Sequence, residues 1–123
     1  SAWERLGRLR LRLMDRAGAI TALERARLIS PSAEGLLDLA LAYHLAGDLG
    51  GEVSACEAAT RLAPDSPQAC SRYAHALART DRSAECIAAC ERALALGGDL
   101  EVAELLERVR SAIPRELGER SAA

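Results

Sequence analysis

Three copies of one short segment constrain the fold of this chain more than any other feature of its sequence. The copies occupy residues 23–28, 56–62 and 90–96, so the second begins 33 residues after the first and the third 34 residues after the second. Each copy starts with an apolar residue followed by Glu, has Ala three residues after its start and ends on Leu. Such a period is typical of stacked helical hairpins. The sequence therefore predicts an all-α chain.

Residues around each copy extend the pattern. The first repeat contributes Trp3, Leu6, Gly7, Ala19, Leu23, Ala26 and Pro31. The second contributes Leu39, Ala40, Tyr43, Ala59 and Pro64, and the third contributes Ala74, Cys86, Cys90 and Ala93. Over residues 2–98 this resembles the tetratricopeptide repeat (TPR) family, whose pattern is W-x2-L-G-x2-Y, then A-x3-F, then A and P. Three positions depart from it, since Arg10 replaces the tyrosine, Glu52 an alanine and Gly98 the proline.

The resemblance implies a right-handed superhelix of three hairpins, at about residues 1–32, 33–66 and 67–98. A seventh helix at 100–113 would close the array, because a terminal repeat needs a polar outer surface. We therefore expect one domain over residues 1–113 and a flexible tail over 114–123. The expected helices are 2–14, 17–29, 33–46, 52–63, 67–79, 83–96 and 100–113.

Glycine and proline set two of these boundaries. Gly50 and Gly51 lie where the fourth helix should begin, so we expect that helix to start late, because glycine disfavours helix. Pro114 is expected to end the seventh helix, because proline lacks the N–H that the helix would use.

The composition favours helices packed closely on one another. The chain contains no Phe, one Trp and two Tyr, so the core must consist of Leu, Ala, Val and Cys. All 16 basic residues are Arg. We interpret the use of Arg alone as the codon bias of a GC-rich bacterial coding sequence, and not as a feature that binds a partner.

The charge pattern excludes a continuous basic surface. The chain has a formal net charge of −2, yet residues 1–31 carry an excess of Arg and residues 32–66 an excess of acids. This alternation argues against nucleic acid as a partner. No segment has the ~20 apolar residues that a membrane span needs, and no signal sequence opens the chain. We expect a cytoplasmic protein, and its first residue, Ser, suggests a chain cut from a longer one.

Four cysteines and two histidines are the candidate chemical groups. Cys86 and Cys90 share a helix face and could in principle hold a metal. We favour core packing, because all four cysteines fall on repeat positions that the family buries and no His lies at zinc spacing. His44 and His75 lack a nucleophile motif nearby. We therefore expect no enzymatic activity, no metal and no cofactor.

In the TPR family the first helix of each hairpin lines a concave groove. Carried over, this gives the predicted partner-binding residues Arg8, Leu11, Arg12, Leu37, Asp38, Leu41, His44, Leu45, Arg72, His75 and Arg79. Leucines flanked by arginines suggest a strip that binds a protein or peptide with apolar and acidic side chains. We expect the acidic side chains of the partner to meet Arg8, Arg12, Arg72 and Arg79.

One known use of the family is disfavoured by the residues present. Chaperone adaptors grip a peptide C-terminal carboxylate with a Lys/Asn/Arg clamp. The matching positions here hold Glu4, Arg8, Asp38, Gln68 and Arg72. Two acids at these positions would repel a carboxylate.

The sequence thus predicts a protein-interaction module that binds a partner peptide or helix in its groove. The alternative is a structural role, in which the uncapped first repeat self-associates or docks onto a larger protein through residues near Trp3. An enzyme using Cys or His is a third, less favoured hypothesis.

Overall fold

The computed structural model describes the backbone of residues 1–122 and the side chains of residues 1–112. The described chain is all-α, as the sequence predicts. It forms α1 (Ala2–Arg12), α2 (Arg16–Ile29), α3 (Ala33–Leu45), α4 (Leu49–Leu62), α5 (Pro67–Leu77), α6 (Ser83–Ala95) and α7 (Leu100–Ala122).

The chain divides into two compact units, Ser1–Pro64 and Asp65–Ala123. In unit 1, α1 packs on α2 and α3 packs on α4, while α3 also contacts both α2 and α1. In unit 2, α5 packs on α6, and α7 contacts both of them. In each unit, consecutive helices therefore pack side by side in antiparallel fashion, and short connections join them.

Short polar side chains start most of the helices. Ser32 accepts a hydrogen bond from the N–H of Gly35 at the start of α3, and Asp48 does the same for Gly51 at the start of α4. These bonds satisfy N–H groups that lack a partner within the helix. Ser and Asp thus act as N-caps at these helix starts.

The core is built from small and branched aliphatic residues and thiols, as the composition predicts. Leu23, Leu39, Leu77 and Val102 are the largest fully buried aliphatic side chains. Fully buried alanines, such as Ala19 and Ala22, let the helices approach closely. Val102, Leu105 and Leu106 bury one face of α7, while Glu101, Glu104 and Glu107 on its other face are exposed. This amphipathic character is what the sequence predicts for a closing helix.

Two helix boundaries differ from expectation by more than two residues. α4 begins at Leu49 rather than residue 52, so both glycines lie inside the helix. A Cβ at Gly51 would lie 2.6 Å from Cδ1 of Tyr43. Glycine there therefore makes room for an aromatic ring, and the Asp48 cap offsets its low helix propensity.

α7 also continues through Pro114 to Ala122, where we expected an end at residue 113 and a flexible tail. A proline removes one backbone hydrogen bond, and the segment after it contains Arg, Glu, Leu and Ala, which are good helix formers. Ala123, the last residue of that expected tail, lies outside the described residues.

None of the described helices is long and apolar enough to cross a membrane.

Candidate binding face of helices α1 and α3

A hydrogen bond joins α1 to α3 on one face of unit 1. Nε of Arg8 donates to Oδ2 of Asp38 at 2.7 Å. Both side chains are partly exposed, so the bond lies at the surface rather than in the core. We call this surface the α1–α3 face; it comprises Glu4, Arg8 and Leu11 of α1 and Glu34, Leu37, Asp38, Leu41 and Leu45 of α3.

Arg8 is surrounded by three carboxylates. Its Nη2 lies 3.7 Å from Oε2 of Glu4 and 3.7 Å from Oε1 of Glu34. The hydrogen bond that Arg8 donates to Asp38 is the chief cause that raises the pKa of Arg8, and the charges of Asp38, Glu34 and Glu4 add to it. Arg8 is thus held in an internal ion-pair network.

Glu4 is the most buried charged residue of this network. Its side chain accepts a hydrogen bond from the hydroxyl of Ser32 at 2.8 Å, and the residue is only 9% exposed. Gly35 makes room for it, because a Cβ there would lie 2.7 Å from Oε1 of Glu4. Ser32 therefore caps α3 and ties α3 to α1 with one side chain.

A row of leucines continues the α1–α3 face along α3. Leu37, Leu41 and Leu45 recur at four-residue spacing, so they lie on one side of the helix. Leu41 is 37% exposed, and Leu37, Leu45 and Leu11 of α1 are half-buried. Leucine at this exposure leaves apolar surface in contact with water.

His44 lies next to Leu45, near the end of α3, and is exposed. Its Nδ1 lies 3.2 Å from Oε1 of Glu52, near the start of α4. The pair connects the two helices of the second hairpin. Glu52, which departs from the family pattern, thus has a polar partner here.

The remaining predicted residues lie elsewhere on the chain. Arg12, the last residue of α1, is exposed. Arg72 and His75 belong to α5 in unit 2, and Arg79 follows the end of that helix. Arg72 and His75 line a pocket of about 420 Å³ together with Pro67, Gln68, Ser71, Gly97, Gly98, Asp99 and Glu101. A single groove that joins these residues to unit 1 stays a prediction.

The structure gives Arg8 partners within the chain. Its Nε donates to Asp38, and carboxylates of Glu4 and Glu34 lie 3.7 Å from its Nη2; contact with acidic side chains of a partner stays a prediction. The sequence placed Asp38 in the groove without pairing it with Arg8. No sequence signal revealed the bond between Ser32 and Glu4.

A separate apolar pocket of unit 1 lies where α2 and α4 end. It has a volume of about 470 Å³ and is lined by Arg27, Leu28, Pro31, Leu36, Ala58, Arg61 and Leu62. Leu28 is 81% exposed. This pocket was not predicted, although leucine ends every copy of the repeated segment.

The four cysteines are buried, and none of them forms a disulfide. Burial raises the pKa of the Cys86 thiol, and it raises that of Cys90 to about 12, with the neighbouring Cys86 as a further cause. Cys86 donates its S–H to the carbonyl of Ala74. Within the described residues no group of three His, Cys, Asp or Glu side chains could hold a metal ion.

Trp3 is half-buried, and the guanidinium of Arg25 lies 5.5 Å from the centre of its ring. Exposed apolar residues of the first hairpin lie at the other end of α1, where Leu9, Leu13 and Met14 face solvent, and at the end of α2, where Leu28 and Ile29 do so.

Solved structures share this fold. The first TPR of Spaghetti (RPAP3), bound to the HSP90 peptide SRMEEVD, superposes with a TM-score of 0.81 at 20% identity, over 91% of this chain and 90% of that one. The Sgt2 TPR domain from Aspergillus fumigatus superposes with a TM-score of 0.76 at 21% identity, over 99% of this chain and 81% of that one. The first TPR domain of human RPAP3 superposes with a TM-score of 0.77 at 19% identity, over 94% of this chain and 93% of that one.

No family model matches the sequence, and no curated protein matches it. The superpositions show that this chain has the all-α fold of TPR domains, as the repeated segment predicts. The similarity is one of structure.

Proposed function

We propose that this chain is a protein-interaction module whose α1–α3 face binds apolar side chains of a partner segment. The observation that carries the proposal is the row of Leu37, Leu41 and Leu45, which keeps apolar surface in water beside a polar network that fixes α1 against α3. Apolar surface on a rigid support is typical of binding sites.

The similar structures support a peptide as the partner. They are TPR domains, and one of them holds an HSP90 peptide. Binding rather than catalysis is also supported by the thiols of Cys86 and Cys90, which are buried and kept neutral, since a nucleophilic cysteine needs an accessible thiolate. We further propose a bacterial, cytoplasmic protein, because four reduced cysteines suit a reducing compartment.

Leu41→Glu tests the site. A charge in the middle of the leucine row should weaken binding of a partner captured by photo-crosslinking by at least about 2 kcal/mol, the scale of a binding hot spot. The fold should persist, because Leu41 is partly exposed rather than buried in the core. Affinity is measured by calorimetric titration, and folding by circular dichroism.

Leu28→Glu is the matched control, because it makes the same change at a more exposed leucine outside the α1–α3 face. The proposal expects this variant to bind like the unmodified protein. Loss of binding in Leu28→Glu with normal binding in Leu41→Glu would move the site to the pocket between the ends of α2 and α4. Equal binding by both would reject the α1–α3 face.

Self-association is the second candidate function. It is favoured by the exposed Leu9, Leu13 and Met14 at the end of α1, which form an apolar edge. Sedimentation velocity over a range of concentrations tests it. A dimer that dissociates in Leu13→Glu would support this role, and a monomer at every concentration would reject it.

A further inference from the structure

We propose that Cys86 and Cys90 form a redox-sensitive pair in unit 2, in which a disulfide can form only when α6 opens and then prevents α6 from refolding. Oxidation would thus unfold the helix that holds the pair. This response to oxidation does not depend on the proposed binding face, because it involves α5, α6 and α7 alone.

Both thiols lie side by side in the core of unit 2. Cys86 and Cys90 are fully buried on α6, which packs on both α5 and α7. Their spacing of four residues places them on one face of the helix, one turn apart. A hydrogen bond between the two thiols is among the causes that move both pKa values, so the two sulfur atoms are neighbours.

The helix nevertheless keeps this pair too far apart for a disulfide. Residues four apart on a helix have Cβ atoms about 5–6 Å apart, whereas a disulfide holds them at about 3.5–4.5 Å. Closing the bond would distort a turn of α6, and it would remove the S–H that Cys86 donates at 3.3 Å to the carbonyl of Ala74 on α5. A strained disulfide is easily reduced. The native fold therefore favours the dithiol over the disulfide.

The native fold also keeps an oxidant away from the pair. Disulfide exchange needs a thiolate that the oxidant can reach. Both side chains are buried, and burial raises the pKa of Cys86 and raises that of Cys90 to about 12. Oxidation thus requires α6 to open first. In the opened chain Cys86 and Cys90 are the closest cysteines in sequence, so the entropy of loop closure favours a bond between them over one to Cys70.

The oxidant is a small disulfide of the glutathione class. One protein thiolate attacks a sulfur of the oxidant, which releases one small thiol and leaves a mixed disulfide on the protein. The second protein thiolate attacks the protein sulfur of that mixed disulfide, forms the bond between Cys86 and Cys90 and releases the second small thiol. Two electrons pass from the two cysteines to the oxidant, and their two protons end on the released thiols.

Folding of unit 2 and oxidation of the pair therefore oppose each other. By linkage, the free energy with which the folded state resists oxidation is the free energy that the disulfide removes from the stability of the fold. An oxidising environment is thus expected to open α6 and to break the contacts that α6 makes with α5 and α7.

The test is a redox titration of the unmodified chain in mixtures of oxidised and reduced glutathione, in buffer and again in urea. After free thiols are alkylated, cleavage at arginine releases residues 83–92 as one peptide that contains Cys86 and Cys90 and neither of the other cysteines. Mass spectrometry then reports the disulfide as the loss of two hydrogens from this peptide.

The equilibrium constant for oxidation should be at least about tenfold smaller in buffer than in urea, which corresponds to about 30 mV for two electrons. In buffer, the disulfide should appear together with a loss of helical circular dichroism, and a reductant should restore the helical signal. A disulfide that forms in buffer while the helical signal stays unchanged would overturn the proposal, as would equal constants in the two solvents. Bonds to Cys56 or Cys70 as the main product, or no disulfide even in urea, would also overturn it.

The double variant Cys86→Ala, Cys90→Ala is the matched control, because it removes the pair and retains Cys56 and Cys70. Its helical signal should not change in the same oxidant. Loss of helix in this control would trace the sensitivity to the other two thiols, and the proposal would be wrong. The titration of the unmodified chain decides the pairing by itself where the two alanines weaken folding.

Discussion

Gly7 of α1 lies against Leu23 of α2 so closely that a Cβ on Gly7 would be 2.4 Å from Cγ of Leu23. Leu23 is buried and cannot move aside without disturbing the core. We expect Gly7→Ala to lower the free energy of unfolding by about 1–2 kcal/mol, because the cost of overpacking exceeds the gain in helix propensity. Urea unfolding followed by circular dichroism measures this change.

Gly50→Ala is the matched control in the same unit. A Cβ there would meet only Oδ1 of Asp48, at an ordinary 3.7 Å. This variant should gain up to about 1 kcal/mol, because alanine is the better helix former. Equal effects of the two substitutions would contradict the packing of Gly7 on Leu23.

The second prediction concerns Met14, whose φ is +61°. The N–H of Asp15 donates to the carbonyl of Arg10, just as that of Asp48 donates to Tyr43 after Gly47, whose φ is +78°. The two turns are thus equivalent, but one uses a residue with a Cβ. We expect Met14→Gly to stabilise the protein by about 1 kcal/mol. Gly47→Met should destabilise it by a similar amount. A lower melting temperature for Met14→Gly, or a higher one for Gly47→Met, would contradict the turn geometry.

The third prediction concerns the second bond of Ser32. Ser32→Ala should cost about 2 kcal/mol, because it removes both the cap of α3 and the donor to the buried Glu4. Ser66→Ala removes a cap of the same kind at α5, where the hydroxyl also faces the exposed Gln68. It should cost only about 1 kcal/mol. Identical losses in denaturant unfolding would mean that the bond to Glu4 contributes nothing.

The repeated segment predicted the helices because its period reports which positions face a neighbouring helix, and burial at those positions is confirmed at Leu23, Cys56 and Cys90. Helix ends were harder to predict. The sequence gives the low propensity of Gly51, but the ring of Tyr43 that needs this glycine comes from another helix. Propensity is a local property, and tertiary packing overrides it.

The candidate site was predicted less completely. The resemblance to the TPR family predicted that Arg8, Asp38 and the leucines of α3 line one groove. The bond between Arg8 and Asp38 depends on how two helices lie side by side. Their separation along the chain is 30 residues, and no local pattern encodes that pairing. The pairing of Arg8 with Asp38 therefore emerged only from the structure.

The fourth prediction concerns the thiols. In native protein at neutral pH all four cysteines should react with a thiol reagent at least about a thousandfold more slowly than an exposed cysteine, because reaction requires opening of the fold. Ser54→Cys supplies that exposed reference on α4. Denaturant should abolish the difference. Rapid labelling of Cys86 or Cys90 in the native chain would contradict their burial.

The last prediction concerns alkaline pH. Burial raises the pKa of Tyr43, and the charge of Glu24 and the hydrogen bond that the Tyr43 hydroxyl donates to Oε1 of Glu24 at 3.2 Å add to it. The folded state therefore holds this phenol neutral more strongly than the unfolded state does. Its contribution to stability is complete below about pH 10, the usual pKa of tyrosine, and is lost as the pH rises through the folded value.

In Tyr73→Phe, which leaves Tyr43 as the one tyrosine, the phenolate absorbance should titrate above pH 10 in folded protein and near 10 in denaturant. Tyr43→Phe should lose less stability than the unmodified chain between neutral pH and pH ~11 in urea titrations. A folded midpoint at or below 10 would mean that neither burial nor Glu24 acts on this hydroxyl.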